Sequence, residues 1–222
     1  MILVPAVAER EFDRALAYVV RGAADLGITP NAITTAALLL NLASGILLSM
    51  GYFACGGLAI LTSGMLDMAD GKLARMTGQA SIFGAVYDAT VDRVGELALF
   101  TGIGAYLILH HLYVTSLIAV AATGGSLLIS YVRARAESYD IPCNLGIMCR
   151  GARILLLGAG STLTIVDDSL QAPLQWISAL FQVPNDFPPI PLALALVAIA
   201  VLSPVTVAQR LRHVRSRAAI LS

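Results

Sequence analysis

The 222 residues are 58% hydrophobic and only 13% charged, with a mean hydropathy of +0.81, whereas soluble domains run at roughly 45–50% apolar and about 25% charged. That balance excludes an ordinary soluble protein and indicates helices buried in a bilayer. The 14 basic and 14 acidic residues cancel formally, so the total charge indicates no nucleic-acid partner; the information lies in where the charges fall.

Glu9, Arg10, Glu11, Asp13 and Arg14 break up any early apolar run, and no signal peptide is expected. The stretch Glu9–Leu26 mixes these charges with Phe12, Leu16, Tyr18, Val19 and Val20, the pattern of an amphipathic helix lying on a membrane surface. "GITPN" then turns the chain inward, Pro30 being acceptable in a first helical turn. A membrane-crossing helix needs about 20 apolar residues, and six stretches qualify. Three are free of charge: Ile33–Met50, Leu112–Tyr131 and Ile190–Ala208. The second, Phe53 to about Arg75, and the third, about Ser81 to Leu109, qualify if their aspartates sit near the membrane boundary. The fifth, about Arg150 to Val166, is short and opens on two arginines.

Basic residues mark cytoplasmic loops. Arg10, Arg14 and Arg21 precede the first span, and Lys72, Arg75 and Arg93 flank the second connection. Arg133, Arg135, Arg150 and Arg153 flank the fourth, and Arg210, Arg212, Arg215 and Arg217 follow the sixth span. The opposite loops, "GYFACGG", "HHLY" and "DDSLQAPLQWISALFQVPNDFPP", hold no Lys or Arg. The expected architecture is therefore all-α: a cell-membrane bundle of six transmembrane helices with an N-terminal amphipathic interfacial helix, both termini being cytoplasmic. Residues 1–28 form the juxtamembrane segment, 29–217 the membrane domain and 218–222 a tail. Cys55, Cys143 and Cys149 form no C-x-x-C pair and read as packing residues rather than a zinc or disulfide framework.

"DMADGKLARMTGQASIFGAVYDATVD" places Asp67, Asp70, Asp88 and Asp92 within this apolar chain. A carboxylate at a membrane helix centre costs about 2.5–3.5 kcal/mol on insertion scales, so its default reading is functional. Asp67 and Asp70 share one helix face, as do Asp88 and Asp92, because residues three and four apart are neighbours on a helix. One span enters the cytoplasm and the next leaves it, so the two pairs meet near that boundary. Four facing carboxylates need a cation, and hard oxygen donors suit Mg²⁺ or Mn²⁺, as one or two ions. His110, His111 and His213 lie elsewhere and read as interfacial. Gly71 and Ala74 lie on the aspartate face and Gly84 one turn before Asp88, leaving room for a ligand. Arg75 can place a guanidinium beside phosphate.

Asp67-x-x-Asp70-Gly71-x-x-Ala74-Arg75, eight residues, then Gly84-x-x-x-Asp88-x-x-x-Asp92 resembles the complete signature of the CDP-alcohol phosphotransferases. The resemblance implies a six-helix membrane enzyme, expected to be a homodimer, that displaces CMP from a CDP-linked lipid by an acceptor hydroxyl. It implies that Asp67, Asp70 and Asp88 bind divalent metal, that Asp92 binds it too and is the general base, and that Gly71, Ala74 and Arg75 line the nucleotide site. Asn31, Thr34 and Ser81 match further nucleotide-side positions. The chemistry is consistent: the transferred phosphoryl group and the departing CMP need charge neutralisation, and the attacking hydroxyl needs a base.

A second polar cluster comprises "SYVRARAE", Ser130–Glu137, and "MCRGAR", Met148–Arg153. Ser130, Arg133, Arg150, Arg153 and Arg210 could form a pocket for an anionic acceptor, whereas Arg212, Arg215 and Arg217 read as membrane anchors. Glu137 and Asp140 are the evident carboxylates near Arg133, Arg150 and Arg153, so part of that positive charge is expected to be open to a ligand. The cluster is similar to that of the phosphatidylinositol-phosphate synthase branch of the family. It departs at Cys149 and Ala152, where that branch usually has glutamates. The resemblance thus implies CDP-diacylglycerol as donor and inositol 1-phosphate as acceptor. Glycerol 3-phosphate, serine or free inositol are the alternative acceptors, and a cation transporter using the aspartates is the alternative of another class.

Overall fold

A computed structural model describes residues 17, 18, 20–166 and 188–221. Half of the expected amphipathic stretch Glu9–Leu26 (residues 9–16 and 19), the loop acids Asp167, Asp168 and Asp186, and the last tail residue lie outside the described residues. Among those described there are no strands. Six helices carry the structure: α1 Pro30–Ser49, α2 Phe53–Met76, α3 Ile82–Leu109, α4 Tyr113–Glu137, α5 Arg150–Thr162, followed by a 3₁₀ turn at Leu163–Val166, and α6 Ile190–Leu221.

Local signals explain the boundaries. Thr29 caps α1, its hydroxyl accepting from the Ala32 amide, with Pro30 in the first turn, where a missing N–H is harmless. Ser81 caps α3 by accepting from the Gly84 amide at 3.0 Å, the usual N-cap geometry. The α1–α2 corner passes through Gly51 at φ +84°, a backbone region that side chains disfavour. Two helices outrun the expected spans. The fourth continues past Tyr131 to Glu137, and α6 passes Pro204 to reach Leu221, carrying Arg133 and Arg210 on rigid extensions.

The helices α1, α4 and α6 are long and apolar enough to cross a membrane. Their outer faces expose Leu39, Leu117, Val120, Leu194 and Val201, which suits a lipid environment rather than water, and the chain is a membrane protein. In a bilayer, helix association depends on close packing and polar contacts rather than on expulsion of water. Both are present. A Cβ on Gly45 of α1 would lie 2.6 Å from the Ala98 carbonyl oxygen of α3, so only glycine allows that approach. Between α1 and α2, the Ser44 hydroxyl donates to the Gly56 carbonyl at 2.8 Å and Ser63 to the Ala37 carbonyl at 3.0 Å.

The main apolar core, with Leu48, Phe53, Ile60, Phe100, Ile103, Leu107, Leu157 and Leu196, lies towards the end of the bundle away from the aspartates. Segment 20–25 is helical and packs Val20 and Ala23 on Ile33, Ala69 and Leu73, closing one side of the polar end. Cys143 is buried as expected of a packing residue, but Cys55 and Cys149 are exposed: Cys55 faces outward from α2 and Cys149 is the N-cap position before α5, so neither thiol has a core to join.

Candidate active site

The polar end of the bundle holds two cavities that share a wall. The first, of about 220 Å³, is lined by Asn31 and Thr34 of α1, Asp70, Gly71, Ala74 and Arg75 of α2, and Ser81, Gly84 and Asp88 at the start of α3. Every residue expected on the nucleotide side is there. The Thr34 hydroxyl donates to Asp70 Oδ2 at 2.6 Å, orienting a nearly buried carboxylate. A Cβ on Gly71 would meet Arg75 Nη1 at 3.6 Å, an ordinary contact; the glycine serves the cavity rather than helix packing.

One carboxylate oxygen each from Asp67, Asp70 and Asp88 lies within 4.8 Å of the other two. Asp88 Oδ1 is buried and accepts no hydrogen bond. A buried acceptor without a donor is costly, and three convergent carboxylate oxygens without basic nitrogen or sulfur are a donor set for a hard divalent cation. The residues therefore fit the expected metal. The fourth carboxylate differs from the expectation of a four-acid cluster. Asp92, one turn further along α3, is ion-paired with Arg150 Nη2, and Arg150 Nη1 donates to Asp67 Oδ2 at 2.5 Å. Arg93 also stands 3.8 Å from Asp92.

The second cavity, of about 420 Å³, begins at Asp88 and Asp92 and is lined by Ser130, Arg133 and Glu137 of α4, Arg150 and Arg153 of α5, and Arg210 of α6. All five expected acceptor residues converge. Their freedom is another matter, and here the expectation of unpaired charge is corrected. Arg150 is held by Asp67 and Asp92. Arg153 is only 1% exposed; its Nε and Nη2 donate to Glu96 at 2.7 and 3.3 Å, and its Nη1 to the Met148 carbonyl at 3.1 Å. Arg210 donates to the Leu145 and Ile129 carbonyls at 2.9 and 2.5 Å. Arg133 pairs with Glu137 at 2.8 Å, the one partner legible from spacing. The remaining partners come from other helices and loops, which one chain segment cannot reveal.

Glu96 is the residue that sequence reasoning missed. It also accepts from the Ser126 hydroxyl at 2.6 Å, joining α3, α4 and α5. Its signal was present, since it stands four residues after Asp92 as Asp92 stands four after Asp88, continuing one face. His110 and His111 lie at the opposite end of α3, His110 stacked on Tyr106, and His213 contacts the Pro142 carbonyl; none joins the site. Arg212, Arg215 and Arg217 line neither cavity.

Residues 27–184 match the CDP-alcohol phosphatidyltransferase family. The chain belongs to that family. It is 33% identical to a phosphatidylinositol phosphate synthase of Mycobacteroides abscessus over 195 residues, 86% of this chain and 79% of that protein. It is 34% identical to an archaetidylinositol phosphate synthase of Pyrococcus horikoshii over 163 residues, 72% of this chain and 84% of that protein. The crystal structure of the Mycobacterium tuberculosis phosphatidylinositol phosphate synthase with CDP-DAG bound superposes with a TM-score of 0.72 at 28% identity, covering 90% of this chain and 94% of that one. The same enzyme in complex with manganese and citrate gives 0.72, covering 90% and 88%. The chain is thus a transferase, and the transporter alternative falls away.

Proposed function

We propose that this transferase moves the phosphatidyl group of CDP-diacylglycerol to the hydroxyl of inositol 1-phosphate, releasing CMP. The observation that carries the reading is the shared wall: Asp88 lines both a carboxylate-edged cavity and an arginine-lined one, so a donor diphosphate and an anionic acceptor can meet at one phosphorus. Relatives from a bacterium and an archaeon carry names specifying an inositol phosphate product, which favours this acceptor over glycerol 3-phosphate, serine and free inositol.

In this reading Asn31, Thr34, Gly71, Ala74, Arg75 and Ser81 border the nucleotide end of the donor. Asp67, Asp70 and Asp88 hold divalent metal, Mg²⁺ or Mn²⁺, with Asp92 completing a site for two ions; the metal supplies charge neutralisation at the diphosphate. Asp92 accepts the proton of the acceptor hydroxyl, whose oxygen forms the new bond to the lipid-linked phosphorus as the bond to the CMP oxygen breaks. Ser130, Arg133, Arg150, Arg153 and Arg210 receive the acceptor phosphate. Six membrane crossings and cytoplasmic termini and active site belong to the same reading, supported by the sorting of basic residues and by the six helices, and a homodimeric state belongs to it through the family resemblance alone. Residues 1–28 are the juxtamembrane segment of this reading, and the expected tail 218–222 is corrected, since α6 continues through it to Leu221.

The test is CMP release by the purified protein supplied with CDP-diacylglycerol, Mn²⁺ and separate acceptors. Inositol 1-phosphate should support turnover far better than free inositol, glycerol 3-phosphate or serine, and a chelator should abolish it until Mg²⁺ or Mn²⁺ is restored. Equal use of inositol and inositol 1-phosphate would defeat the acceptor assignment, and turnover in a metal-free preparation would defeat the metal centre.

A further inference from the structure

Arg150 stands where helix electrostatics disfavours it. It is the first residue of α5, followed one turn later by Arg153, and the N-cap Cys149 makes no side-chain capping bond; a cation at a helix N-terminus opposes the helix dipole. Local structure therefore does not explain the residue, but tertiary contacts do. One guanidinium nitrogen is bonded to Asp67 on α2 and the other is paired with Asp92 on α3. Asp67 is also one of the three carboxylates whose oxygens converge. The guanidinium and a divalent ion thus make claims on the same carboxylate. Arg150 borders the acceptor-side cavity as well, with Arg133, Arg153 and Arg210, so a side chain leaving Asp67 and Asp92 has a second basin within its reach.

We propose that Arg150 is a positioning residue shared between the two cavities: it is the counter-cation of Asp67 and Asp92 while divalent metal is absent, and a ligand of the acceptor phosphate once metal is bound. The inference rests on the metal and acceptor assignments above and adds a coupling between them. Metal and guanidinium compete for Asp67, so binding the ion releases Arg150. A phosphate that captures the released guanidinium in turn removes the competitor. By linkage, each ligand raises the other's affinity by the same factor. Release also uncovers the Asp92 oxygen that must take the hydroxyl proton, so the base becomes open only when the metal is in place. Arg153 and Arg210 have no such part, being anchored to Glu96 and to main-chain carbonyls.

The experiment is Mn²⁺ titration of the full-length protein in detergent, without donor lipid, following the EPR signal of free Mn²⁺ with and without inositol 1-phosphate. In the parent, inositol 1-phosphate should tighten Mn²⁺ binding by a factor within the about 5- to 150-fold range usual for coupled sites, and free inositol, which lacks the phosphate, should not. Arg150→Gln should bind Mn²⁺ more tightly than the parent when no acceptor is present, having lost the competing cation, and should show little coupling. Arg150→Lys, which keeps a charge but not the two-pronged grip, should fall between the two and carries the comparison should the glutamine variant not fold. Unchanged or weaker Mn²⁺ binding in Arg150→Gln, or coupling equal to the parent's, would overturn the proposal while leaving the metal centre intact. A parent protein that binds no Mn²⁺ would overturn the metal reading and this inference together.

Discussion

The two cavities are neighbours but are built in opposite ways. The carboxylate side comes from consecutive helices between Asn31 and Asp92, and its four aspartates lie on helix faces set by three- and four-residue spacing, with Ser81 at the N-cap of α3. The arginine side comes from α4, α5 and α6, between Ser130 and Arg210, and nearly every charge in it is pinned by a partner distant in sequence. Asp88 Oδ1 is left without a hydrogen bond, whereas Arg153 makes three. The contrast separates a side whose convergent acids are a donor set for a cation from a side that balances most of its charge with its own partners. Substitutions should therefore harm chemistry on the first side and folding on the second.

The largest effect belongs to the carboxylate side. Asp92→Asn preserves shape but removes the proton acceptor, and general-base contributions run at about 10²–10⁴ in rate. The kcat for CMP release should fall by that order while the fold and nucleotide binding partly survive. A turnover within tenfold of the parent would end the role of Asp92 as base and erase the distinction between the two sides.

Arg153→Ala should act through stability. It leaves the Glu96 carboxylate, whose side chain is 14% exposed, without its cation, and breaking a buried pair from one end costs about 3–5 kcal/mol. Thermal unfolding in detergent should show the loss, and Glu96→Gln in the same chain should recover part of it, as expected for residues in direct contact. An Arg153→Ala protein as stable as the parent would mean that the pair with Glu96 contributes nothing to folding.

These differences also decide what could be read in advance. The helix order and the residues lining both cavities were legible, because apolar run length, the sorting of basic residues and the Asp-x-x-Asp and Asp-x-x-x-Asp spacings are local properties that a helix converts directly into position. The pairing of Arg150 with Asp67 spans 83 residues and that of Arg153 with Glu96 spans 57; nothing local announces which of several arginines meets which acid. Glu96 was overlooked because a carboxylate in the middle of an apolar helix signals its cost but not its partner. The extension of α4 to Glu137 was likewise hidden by its charges, which a search for charge-free runs excludes although an arginine-rich turn is helical.

Thr34→Val sharpens the comparison at smaller scale. The change keeps volume but deletes the 2.6 Å bond to Asp70, and loss of a group that orients a metal ligand typically weakens metal affinity by about 10–100-fold. Mn²⁺ titration should show an effect towards the lower end of that range, since Asp67 and Asp88 remain, with little change in the acceptor KM at saturating metal. An affinity equal to the parent's would mean that Asp70 is oriented by packing alone.

Arg133→Ala should give the smallest effect and the cleanest reading of the arginine side. Its side chain is 47% exposed and its partner Glu137 lies one turn away on the same helix at 2.8 Å, so the pair contributes only about 0.3–0.5 kcal/mol to folding and its removal should leave thermal unfolding nearly unchanged. Of Arg133, Arg150, Arg153 and Arg210, Arg133 is therefore the one that can be deleted without leaving a buried acid or carbonyl unpaired. A charge-assisted hydrogen bond is worth about 1.5–3 kcal/mol when well shielded, and exposure reduces that, so the KM for inositol 1-phosphate should rise by no more than about tenfold while the KM for CDP-diacylglycerol stays constant. Free inositol, with no phosphate to lose, should show no change. A shift in the donor KM instead would place Arg133 on the nucleotide side of Asp88, and the division of the site into a carboxylate half for the donor and an arginine half for the acceptor would have to be redrawn along a different wall.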